Sequence, residues 1–156
     1  MPLQSIKRLL RTEDSSVLLI LRIGLALVIL PHGLQKTVGW FGGFGFEGTM
    51  GFFTDTMGFP WVLGFAAILA ESAGAVLLLA GAGTRLAAAA IGITMFVAMV
   101  TVHAEHGFFM NWFGNQGGEG MEFFLLAMAL ALGLIIGGGG RFSVDRVMMH
   151  DRGVII

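Results

Sequence analysis

The chain has 156 residues, 56% of them hydrophobic and only 12% charged, where a soluble domain carries about 25% charged residues. It contains no cysteine, which excludes disulfide exchange, thiolate nucleophiles and Cys-ligated zinc or iron–sulfur clusters within the chain. A net charge of −1 with no basic run gives no electrostatic case for a nucleic-acid partner.

The first 16 residues are polar, basic at Lys7, Arg8 and Arg11 and acidic at Glu13 and Asp14, with Ser15 or Ser16 placed to cap a helix. The apolar run that follows, about 17–37, lacks a small-x-small cleavage site behind it and reads as a retained first crossing. It holds Arg22, Pro31, His32 and Lys36. At about 100° per residue Arg22, Ile29, Gly33 and Lys36 share one stripe with His32 at its edge, the mark of a face turned into a bundle. Pro31 is expected to kink this helix.

A loop rich in Gly and Phe comes next, with a short interfacial helix predicted over about 47–57. Its aromatics suit the membrane interface or a lid. Pro60 then opens the second crossing, about 61–82, whose centre carries one acid, Glu71. A carboxylate at mid-membrane costs several kcal/mol unless it is paired, protonated or facing water. A tight turn at 81–85 leads to a third crossing, about 86–103, ending near His103, Glu105 and His106. A polar loop precedes the fourth crossing, about 121–138, which has Glu122 in its first turn. The glycine run at 137–140 lacks a GK[ST] ending and follows a helix, so it is a helix stop and no phosphate loop. The remainder, to Ile156, is expected at the membrane surface.

These elements predict an all-α, integral membrane, antiparallel four-helix bundle forming one domain. Lys7, Arg8, Arg11, Arg85, Arg141, Arg146 and Arg152 fall on one side, which places both termini in the cytoplasm and the chain, multi-pass, in the cell's inner membrane.

Counting about 1.5 Å per residue from the outer surface puts His32 roughly 8 Å deep, Glu71 roughly 16 Å and Arg22 roughly 23 Å. A buried Glu71–Arg22 ion pair is the simplest partner for the acid, and such a pair can be purely structural. The functional alternative is a polar column of Glu71, His32, Lys36 and His103 opening outward, able to carry protons to a quinone headgroup. Glu71 and His32 are then the proton-handling pair, and Arg22, Lys36, His103 and Glu122 the headgroup-binding residues. Two other readings are a metal held by His103, His106, Glu119 and Glu122, and a haem between His32 and His103.

The segments R-x-G-L at 22–25, H-G-L-Q-K at 32–36, M-G-F-P at 57–60, A-E-S-A-G at 70–74, G-A-G-T-R at 81–85 and G-R-F-S-V-D at 140–145 together resemble the DoxX family of small membrane proteins. The resemblance implies a four-helix membrane protein related to subunits of quinone-linked oxidoreductases, with Arg22, Lys36 and Glu71 on recurring charged positions. It implies quinone as the ligand, and the lipid bilayer, a redox partner subunit and a second copy of the chain as partners. A non-catalytic scaffold for a redox partner is the alternative function, and the absence of cysteine leaves a thiol relay to such a partner.

Overall fold

The computed structural model describes residues 9–150, and Lys7, Arg8 and Arg152 of the basic set lie outside them, as does the end of the chain's surface tail. The regular elements among the described residues are all helices, with no strand. Helix α1 spans Ser16–Thr37 and runs through Pro31, its start capped by the Ser15 hydroxyl, which accepts from the Leu18 N–H at 3.4 Å. A short α2, Gly45–Gly51, continues as a π turn through Thr56. Helix α3 covers Trp61–Ala80 with a π turn at Ala70–Gly74, and α4 covers Thr84–His106 with a third π turn at Met99–His103. Helix α5, Glu122–Gly137, and a short α6, Val144–His150, complete the described chain.

Helices α1, α3 and α4 are apolar and 22, 20 and 23 residues long, enough at about 1.5 Å per residue to span a hydrocarbon core of about 30 Å. α5 is equally apolar but has 16 residues, about 24 Å.

One core joins these four helices. Leu25, Ala26 and Ile29 of α1 meet Ala75 and Leu78 of α3, Ala87, Ala88, Ile91 and Met95 of α4, and Phe124, Ala127, Ala131 and Leu134 of α5. Ala87, Ala88, Ala127 and Ala131 lie on α4 and α5, which make the most extensive helix–helix contact in the fold. Lipid tails are as apolar as the core, so small side chains that let helices approach and gain dispersion contacts hold such a bundle together better than bulk hydrophobicity does. At the end bearing the long loops, α2 packs against α1, and Met50 and Phe53 cover Gly64 of α3.

The opposite, basic end is closed by polar bonds between segments distant in sequence. Asp145 accepts from the N–H groups of Gly83 and Thr84 at 2.6 and 2.9 Å, capping α4 from α6. Asp14, just before α1, pairs with Arg141 at 2.9 Å and with Arg146. The hydrogen bond from Arg146, then that from Arg141, holds the Asp14 carboxyl well below the usual carboxylate range.

Candidate functional site

Glu71 is 4% exposed and lies inside the π turn of α3. Its partner is Lys36, whose Nζ donates to Oε2 at 2.6 Å. The carboxylate is buried, whereas the Lys36 side chain keeps 24% of its surface exposed, so the pair opens toward the loop end. Gly33 makes the approach feasible. A methyl there would run into the Glu71 carbonyl and stand 2.7 Å from Ser72 Cα, so the bare Cα lets α1 lie directly against the π turn. His32, one turn before Lys36, is exposed on the bundle surface, close enough to feel both charges, with its ring centroid 5.9 Å from that of Phe123 on α5.

Arg22 does not pair with Glu71, contrary to the expectation from the sequence. Its Nη1 donates to Leu78 O and Leu79 O at 2.7 and 2.6 Å, its Nε to Gly139 O at 2.9 Å, and its Nη2 more weakly to Arg141 O and Phe142 O. The guanidinium therefore serves carbonyls at the C-terminal end of α3 and in the loop after α5; of those it bonds most closely, Leu78 O also accepts from Gly81 N, while Leu79 O and Gly139 O have no other partner among the described residues. The acid within electrostatic range of Arg22 is Asp145. Gly81, at φ +68, borders this nest: a Cβ would stand 2.8 Å from Ser143 Cα and 3.0 Å from Arg22 Cζ. The count of about 1.5 Å per residue put Arg22 and Glu71 within reach, but it gave no weight to these carbonyls or to the length of the Lys36 side chain.

His103 and Glu122 also stand apart from the pair. His103 Nδ1 lies 2.8 Å from Glu119 O and its ring packs on Phe124, with centroids 4.2 Å apart. Glu122 accepts from Met110 N and Trp112 Nε1 at 2.9 and 3.1 Å, which pins the 107–120 loop. The imidazoles of His32 and His103 thus rest on adjacent phenylalanines, Phe123 and Phe124. Among the described residues no group of three or more His, Asp or Glu is placed to hold a metal ion. A cleft of about 340 Å³ lies at the basic end, and no residue of the predicted site lines it.

A helical membrane protein with a buried acid held by a half-open lysine is the class that this geometry defines. Residues 17–104, just over half of the chain, match the DoxX family model, and the chain belongs to the DoxX family. The matched stretch contains Arg22, His32, Lys36, Glu71 and His103, and it ends before Glu122 and Asp145. No curated protein and no solved structure matches the chain.

Proposed function

We propose that the chain is the membrane subunit of a quinone-linked oxidoreductase, a four-crossing antiparallel bundle of the inner membrane with both termini in the cytoplasm. The gathering of Arg85, Arg141 and Arg146 at one end supports this orientation, since basic residues favour the cytoplasmic side. The observation that carries the functional reading is the Lys36–Glu71 contact, a buried carboxylate bonded to an ammonium that remains partly open.

The residues fit a quinone headgroup arriving sideways through the lipid. The Lys36 ammonium has three N–H donors and directs one at Glu71, leaving two for a headgroup oxygen. His32, beside it on the exposed surface, offers a second donor. A quinone bound there would supply the redox chemistry, a reduction by two electrons from a partner subunit with uptake of two protons. Lys36 and His32 orient the headgroup and hold protons at Nζ and the imidazole, while Glu71 keeps Lys36 charged and aimed. Quinone measured in lipid extracts of the detergent-purified protein tests this: wild type retains it and Lys36→Met/Glu71→Gln does not.

The second reading is a non-catalytic scaffold for a redox partner, favoured by the Arg22 carbonyl nest, where a buried charge serves only to join segments. In that case the neutral double variant keeps partner activity as well as stability.

A further inference from the structure

We propose that the cleft at the basic end is a binding site for one membrane phospholipid with a zwitterionic phosphate–ammonium headgroup. It is lined by Arg11, Thr12 and Glu13 from the chain leading into α1, Arg85 from the first turn of α4, and Ile136 and Gly137 from the end of α5. Its volume of about 340 Å³ falls within the range of small-molecule sites.

The charges are arranged for such a headgroup. Arg85 donates through Nε and Nη2 to Arg11 O at 3.2 and 3.0 Å and through Nη1 to Ile135 O, which fixes its guanidinium at the cleft wall. A guanidinium has five N–H donors, so two remain for a phosphate oxygen. Arg11 is exposed at the same wall and supplies the second cation. Thr12 Oγ1 accepts from Gly140 N at 2.6 Å, and its own proton is left to donate. Glu13 adds one carboxylate. Two guanidiniums and a carboxylate complement a phosphodiester carrying an ammonium better than they do a simple anion.

Position selects a lipid over a soluble phosphodiester. The cleft sits where α1 and α4 begin and α5 ends, level with the headgroups of a spanning bundle. From its floor an exposed apolar strip climbs α5 through Ile136, Leu132, Ala129 and Leu125, a surface that acyl chains cover and a free headgroup does not need.

Native mass spectrometry of the delipidated full-length protein, titrated with phosphatidylethanolamine, phosphatidylglycerol or soluble glycerophosphoethanolamine, tests the site. Wild type is expected to bind one phosphatidylethanolamine in preference to phosphatidylglycerol and to ignore the soluble headgroup. Arg11→Gln keeps the backbone carbonyl that anchors Arg85, and it is expected to lower phosphatidylethanolamine binding about tenfold at unchanged melting temperature. Glu13→Gln is expected to erase the preference between the two lipids. Equal phosphatidylethanolamine binding by wild type and Arg11→Gln overturns the site, and competition by the soluble headgroup at equal concentration overturns its assignment to lipid. Equal binding of the two lipids by wild type overturns the pairing of Glu13 with the ammonium.

Discussion

Replacing Arg22 with methionine keeps the apolar stem and removes the guanidinium from its nest of carbonyls. Leu78 O retains a bond from Gly81 N at 3.0 Å, whereas Leu79 O and Gly139 O have Arg22 as their one partner among the described residues. Two acceptors left unsatisfied, Gly139 O buried at about 2 kcal/mol and Leu79 O partly buried at about 1 kcal/mol, give a loss of about 3 kcal/mol. For a chain of this size that corresponds to a melting temperature lower by about 10 °C, read by circular dichroism in detergent. Arg22→Lys, with a single point of donation, should fall between the two. The decisive comparison is with Glu71. Because Arg22 and Glu71 share no partner, the effects of Arg22→Met and Glu71→Gln should add to within about 0.5 kcal/mol. A rescue of Arg22→Met by Glu71→Gln, or a loss under about 1 kcal/mol, refutes the carbonyl nest.

Gly33→Ala forces a methyl against the backbone of the α3 π turn, so α1 and α3 must separate. A loss of about 2 kcal/mol is expected, together with weaker quinone retention, and wild-type melting would show the close approach to be inessential. Acid sensitivity follows from Asp14. Its folded-state pKa is depressed by Arg146 and Arg141, so the stability it contributes is present above the unfolded value near 4 and lost as pH falls below it. Asp14→Asn should therefore show a flatter decline in melting temperature below about pH 4 than wild type does, and identical pH profiles would contradict the pairing.

The helices were legible because their signals are local. Runs of apolar residues, the serine before α1 and the proline before α3 each act within a turn or two of their own position. The acid at 71 was also legible as a residue in need of a partner, and Lys36 stood in the polar column drawn from the sequence. The choice between Lys36 and Arg22 was not legible. It depends on the reach of a lysine side chain and on a π turn that no residue pattern announces. The closure of the basic end was hidden for another reason. Arg22 to Gly139 and Asp145 to Gly83 are side-chain-to-backbone bonds across 117 and 62 residues, and backbone acceptors carry no residue-type signal. The G-A-G-T-R and G-R-F-S-V-D segments, which carry part of the family resemblance, are the two sides of that closure.

The most direct test of the account is the quinone content of the purified protein, measured for wild type and for Lys36→Met/Glu71→Gln. The double variant removes both charges together, so the bundle keeps its stability and no lone buried carboxylate confuses the result. The account predicts a melting temperature near that of wild type with bound quinone lost. Quinone retained undiminished in the double variant would contradict it, leaving the pair as a tie between two helices.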